Sequence, residues 1–199
     1  MSKTAEITSL EQLDLNKVYS YADYLTWKFK ERVELFKGKI VAMSPAPASD
    51  HQRVSAKIGT PIFLFLENSP CEVFYAPFDV RLESVKKDEK NYTVVQPDIS
   101  VICDPTKIDK RGCLGAPDLV VEILSPGNTD KEMKYKFELY ESSGVKEYWI
   151  VQPNEKLVFV YHLENGQYVN HRPLILSDTL QSKILSGFEL ELSKIFTSK

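Results

Sequence analysis

The sequence predicts a mixed α/β fold, a sheet flanked by helices, and a few observations carry that expectation. Apolar residues recur at helical spacing across 51–68 and 129–143, while the stretches between and after them are rich in Val, Ile, Phe and Tyr. Gly, Pro, Asn and charged clusters punctuate these stretches, and helical and strand-like segments alternate along the chain. With 199 residues, 43% hydrophobic and 27% charged, the chain suits one packed body rather than a disordered or repeat-built one. A core of this size buries roughly 70% of the unfolded surface. We expect a single domain over residues 1–199, with an N-terminal helical segment at 1–30 and a C-terminal β-rich extension at 163–199.

Each element has its own reason. Between Ser9 and Lys30, Leu13, Leu15, Tyr21, Tyr24, Leu25 and Phe29 fall at roughly helical intervals, which predicts one or two amphipathic helices. Arg32–Phe36 and Ile40–Met43 flank Lys37-Gly38-Lys39 and predict two strands joined by a turn, with residues 44–50 breaking the pairing. From His51 to Asn68, Val54, Ile58, Ile62, Phe65 and Leu66 predict a long helix that includes Pro61. Strands are expected at Glu72–Leu82, Tyr92–Cys103 and Asp118–Leu124, separated by solvent-exposed loops at 86–90 and 107–115. A helix follows from about Thr129 to Ser143, stopped by Gly144, and then strands at Glu147–Val151 and Lys156–His162 neighbour one another through the turn at 152–155.

Composition excludes several classes. There is no run of about 18 uncharged apolar residues, and the N-terminus lacks the apolar core of a signal peptide, so no membrane partner and a cytoplasmic protein are expected. Cys71, Cys103 and Cys113 form no CxxC, and an odd, scattered set argues for reduced thiols rather than a disulfide framework or a thiolate zinc site. Twenty-five basic against 28 acidic residues give a net charge of -3, so no global positive field announces nucleic acid, although a local basic face is compatible with that sum.

The chemistry concentrates in carboxylates at apolar positions. Glu122 sits inside Leu119-Val120-Val121-Glu122-Ile123-Leu124, where an unpaired charge is costly to bury, and Asp98 sits in another core-like strand, Val94–Ile102. If those strands are adjacent, about 4.8 Å apart, two carboxylates on one face can share a divalent cation through hard oxygen ligands. Asp118 is separated from Glu122 by four strand residues, roughly 13 Å, so it reads as a strand-entry residue. On the following helix Lys136 borders the apolar residues Phe137 and Tyr140, which allows its stem to be buried and its ammonium to face the sheet; Lys134 should face solvent. Glu34 is either a third acid or an exposed structural glutamate, and His51 either touches substrate or opens its helix.

These residues occur in an ordered succession: Val33-Glu34-Leu35 with Gly38 and Met43-Ser44-Pro45, His51, Asp79-Val80-Arg81-Leu82, Pro97-Asp98-Ile99, Ala116 to Pro126, Lys136 to Tyr140, and Gly144 to Trp149. From about Tyr21 to His162 the chain resembles the Uma-type putative restriction endonuclease family, formerly a domain of unknown function within the PD-(D/E)XK nuclease superfamily. The resemblance implies a restriction-endonuclease-like mixed β-sheet flanked by helices. It implies an endonuclease that hydrolyses DNA phosphodiester bonds through a water bound to Mg²⁺ or Mn²⁺. Asp98, Glu122 and Lys136 would be catalytic, Asp98, Glu122 and Glu34 would hold metal, and His51 would touch substrate. Leu124 occupies the position where the superfamily pattern asks for Lys, and the resemblance moves that lysine to Lys136. Loops such as Lys107–Arg111 would contact phosphates, and a homodimer would serve duplex cleavage. The competing reading is a non-catalytic nucleic-acid- or protein-binding module that keeps the fold, with Asp98, Glu122 and Lys136 as a buried ion network.

Overall fold

The computed structural model describes residues 6–43, 48–83, 88–125 and 130–196. The expected helices of the N-terminal segment reduce to one turn of 3₁₀ helix at Leu10–Gln12 and a single α-turn, α1 (Tyr21–Tyr24), each closed by a capping box from Ser9 or Ser20. The spacing of apolar residues there serves a separate small cluster, in which Leu13, Tyr19 and Tyr21 cover Leu35 and Val94. Next, β1 (Val33–Phe36) and β2 (Lys39–Ala42) form the expected hairpin. Its two turn residues, Lys37 and Gly38, both have positive φ, 50° and 78°, the geometry that matches the twist of a two-residue hairpin. A side chain at Gly38 would collide with Val18 and the backbone of Tyr19, so glycine is required there.

The long helix is present as α2 (Ser49–Phe65), and its buried side is Val54, Ile58 and Ile62, as the spacing predicts. The next two expected strands each divide. Glu72–Leu82 becomes β3 (Glu72–Tyr75) and β4 (Val80–Arg81), and Tyr92–Cys103 becomes β5 (Val94–Val95) and β6 (Ile99–Ile102). Proline explains both breaks: the Ala76–Pro77 peptide is cis, and Pro97 removes a ladder donor between β5 and β6. The segment expected to be an exposed loop at 107–115 instead holds a small hairpin, β7 (Ile108–Asp109) and β8 (Gly112–Leu114), with Cys113 fully buried. Of the other loop, residues 86 and 87 lie outside the described residues, as do 44–47 of the expected pairing break and Thr129 at the start of the next helix.

Then come β9 (Leu119–Ile123), α3 (Asp130–Ser143), β10 (Glu147–Gln152) and β11 (Leu157–Glu164), with Gly144 ending α3 at φ 86°. The C-terminal part adds β12 (Gln167–Val169), a ribbon of β13 (Thr179–Gln181) and β14 (Glu189–Glu191), and a short helix, α4 (Leu192–Phe196). One six-stranded sheet runs β2-β1-β5-β4-β8-β7 and a second runs β12-β11-β10-β9-β6-β3. In the second, β9 and β10 are parallel neighbours joined through α3, the usual solution for a parallel pair.

Alternation along β9 decides what faces what. Leu119, Val121 and Ile123 pack with Ile99, Val101 and Trp149 against α2. Val120 belongs to the opposite face, where Leu139 and Tyr140 of α3 meet Val80 and Val95 of the first sheet. Glu122 shares that face with Val120, so a carboxylate is directed between the two sheets at the end where β9 meets the β5–β6 connection.

Candidate active site

Five sequence-selected residues line one cleft: Glu34 from β1, His51 from α2, Asp98 just before β6, Glu122 from β9 and Lys136 from α3. The cleft holds about 80 Å³, room for an ion and a few waters. β6 and β9 are antiparallel with Ile99 opposite Val121 and Ser100 opposite Val120, so Asp98, just before β6, comes beside the end of β9 that carries Glu122. Asp98 is fixed by its own strand end: its Oδ2 accepts from the backbone N–H of Ile123 at 2.8 Å and stands 3.2 Å from His51 Nε2.

Glu122 is held from the helix. Its Oε1 accepts from Lys136 Nζ at 2.9 Å and from the Tyr140 hydroxyl at 2.7 Å, two donors one turn apart on α3. Lys136 Nζ is also 3.3 Å from Glu34 Oε1, so its ammonium bridges two carboxylates. Glu34, 1% exposed, also accepts from the Gln96 backbone N–H at 2.8 Å. Arg32 donates to the Gln96 side-chain oxygen at 2.7 and 3.0 Å, and the Gln96 amide in turn donates to Asp79 at 2.8 Å. The Gln96-Pro97-Asp98 connection therefore ties the two acid positions together from behind.

Electrostatics follow from burial. Removal from water, reinforced by Asp98 and Glu34, pushes the Glu122 carboxyl up to about 7 even though Lys136 opposes the rise. Burial alone would lower the Lys136 ammonium, but Glu122 and Glu34 outweigh it and raise it, so the lysine stays charged. The hydrogen bond that the His51 ring donates to Asp98 raises His51 above its ordinary value.

The donor set can be tested against a divalent cation. Among the described residues, Asp98 Oδ1 and Glu122 Oε2 take part in no hydrogen bond, and both residues line the cleft. Among the described residues no three His, Cys, Asp or Glu side chains gather closely enough to cage an ion. That pattern fits Mg²⁺ or Mn²⁺, which rests on one or two carboxylates and completes its shell with water and substrate phosphate. Glu34, the expected third ligand, uses its Oε1 on Lys136 and the Gln96 backbone.

Other expectations shift. Asp118 is the strand-entry residue foreseen, accepting from Cys103 N at 2.8 Å and Lys146 Nζ at 2.7 Å. Lys107 donates to the Ala116 carbonyl and Arg111 pairs with Asp88, so these cations of the 107–111 loop are engaged within the protein. Cys71 and Cys103 form a disulfide rather than two thiols, because β3 pairs with β6 and sets the residues flanking Glu72 and Ile102 side by side. That bond removes the thiol count as an argument for a reducing compartment. Gln96, Arg32 and Tyr140 were not singled out from sequence; the i, i+4 spacing of Lys136 and Tyr140 was the available signal for Tyr140.

The mixed sheet with a carboxylate pair at the end of its central strands and a helix laid against it is a restriction-endonuclease-like α/β architecture. It is similar to the crystal structure of a putative nuclease belonging to DUF820 from Anabaena variabilis, with a TM-score of 0.68 and 19% identity, covering 89% of this chain and 97% of that one. An uncharacterized protein from a Synechocystis strain is 31% identical over 143 residues, 70% of this chain and 72% of its own. Residues 21–193 match the family described as Uma2, putative restriction endonuclease, and the chain belongs to that family. Among the described residues no helix is long and apolar enough to cross a membrane.

Proposed function

We propose that this protein is a Mg²⁺- or Mn²⁺-dependent endonuclease that hydrolyses phosphodiester bonds in DNA. The observation that carries this reading is that Asp98, at the entry to β6, and Glu122, on β9, line one cleft with the Lys136 ammonium 2.9 Å from Glu122. Asp98 and Glu122 would hold the cation, which when bound polarises the phosphate and makes its water a stronger nucleophile at neutral pH. Lys136 remains an ammonium and is therefore a donor and a positive charge, not a base. It stabilises negative charge that develops on the phosphate and orients the attacking water, while Glu34 and Tyr140 are positioning residues that hold the lysine and Glu122 in register. His51, whose Nε2 stands 3.2 Å from Asp98 Oδ2, is a positioning residue for that carboxylate. A homodimer would bring two such clefts to the two strands of a duplex.

The complete pairing of Lys136 with Glu122 and Glu34 also favours a second reading, a non-catalytic binding module stabilised by a buried ion network. Nicking of supercoiled plasmid separates the two. The endonuclease reading expects Mg²⁺- or Mn²⁺-dependent nicking that falls at least 100-fold in Asp98→Asn and Lys136→Met proteins that remain folded. Wild-type protein that leaves both plasmid and single-stranded DNA intact with either metal refutes it.

A further inference from the structure

Beside the acid cleft lies a second, larger depression of about 280 Å³, and His51 and Asp98 line both. Its walls are the outer face of α2, carrying Gln52, Ser55, Ala56 and Thr60, and the end of β3, carrying Tyr75. Gln52, Ser55, Ala56, Gly59 and Thr60 recur at helical spacing, so small and neutral polar groups form one continuous strip alongside the buried Val54, Ile58 and Ile62. Among the described residues no lysine or arginine lines the depression, so its surface is suited to edges and faces rather than to phosphate.

Tyr75 is seated by design of the helix. Gly59 lies in the interior of α2, where glycine costs about 1 kcal/mol against alanine. A Cβ at that position would lie 2.2 Å from the Tyr75 ring, so the missing side chain is what lets the ring lie against the helix. Yet Tyr75 remains 40% exposed, so the braced ring is still open to solvent in part, and Asp98 lines the same depression. A braced, exposed aromatic beside a neutral hydrogen-bonding strip has the chemistry of a base-stacking platform.

We propose that this groove takes an unpaired base of the DNA substrate, stacked on Tyr75 with its polar edge toward Gln52, Ser55 and Thr60, while the adjoining phosphate enters the acid cleft. The inference rests on the nuclease reading and narrows its substrate to single-stranded or frayed DNA. The volumes agree with the division: the acid cleft admits an ion and waters, and the groove beside it is the larger space.

Binding of a labelled single-stranded 20-mer and of its duplex, in Ca²⁺ to slow hydrolysis, tests it. We expect the single strand to bind more tightly than the duplex. Tyr75→Ala and Tyr75→Leu should weaken single-strand binding about 5- to 100-fold, the range for one stacked base, and Tyr75→Phe should stay within about twofold of wild type. Gly59→Ala, which displaces the ring, should reproduce the loss, with thermal melts reporting that each variant is folded. Single-strand affinity unchanged in folded Tyr75→Ala protein, or equal affinity for duplex, overturns the groove while leaving the nuclease reading to its nicking assay. No binding of either form, together with no nicking, overturns both.

Discussion

Replacing Glu122 by Gln in metal-free protein isolates the electrostatic cost of the site. The folded carboxyl titrates at about 7 against an ordinary 4.5, because it is buried beside Asp98 and Glu34. A folded pKa above the unfolded one means the native state binds the proton more tightly. The associated stability is fully present below about pH 4.5 and is lost as pH rises through 7. The displacement corresponds to about 3 kcal/mol, and for a chain of this size roughly 10 °C in melting temperature. Thermal melts of both proteins in EDTA from pH 5 to pH 8 provide the assay; the difference between them cancels the titrating groups that do not sense Glu122. Wild type should lose about 5–10 °C more than Glu122→Gln across that range. Mg²⁺ at pH 8 should restore the wild type and leave the variant unmoved. Parallel curves for the two proteins would show that Glu122 carries no such cost.

Other outcomes follow from single contacts. Tyr140→Phe removes a hydrogen bond to a buried carboxylate and should lower stability at pH 8 by about 1.5–3 kcal/mol, with a smaller loss at pH 5 where Glu122 is protonated; equal losses at both pH values would contradict the assignment. Lys136→Met strands two buried carboxylates and should cost about 3–5 kcal/mol by urea unfolding in EDTA at pH 8, a value near zero being the contrary result. Breaking Cys71–Cys103 with Cys103→Ser opens a loop spanning a sequence separation of 32 and should cost about 3 kcal/mol; unchanged stability of the wild type on adding reductant would contradict the bond. Burial pushes the Cys113 thiol up to about 12, so native protein at pH 8 should show almost no reactive thiol, and rapid labelling would refute that.

The long elements were legible because their patterns are strong. The 3.6-residue recurrence of Val54, Ile58 and Ile62 and the continuous apolar run of β9 each admit one interpretation, and an acid inside that run announces itself. Asp98, Glu122 and Lys136 could be paired from sequence because strand alternation and helix periodicity fix directions. What escaped depends on long-range packing. The N-terminal apolar residues satisfy helical spacing while serving a cluster built on Leu35 and Val94, which local sequence does not encode. The Cys71–Cys103 bond requires knowing that β3 pairs with β6, and the commitment of Glu34 to Lys136 requires knowing that two separate sheets meet there.

The central claim is that Asp98 and Glu122 together hold a divalent cation. Crystals soaked in Mn²⁺ and measured at the manganese absorption edge test it most directly. The account predicts an anomalous peak between Asp98 Oδ1 and Glu122 Oε2, at about 2.2 Å from each, absent from Asp98→Asn crystals. Saturating Mn²⁺ with no peak there, or the same peak in Asp98→Asn, would contradict it.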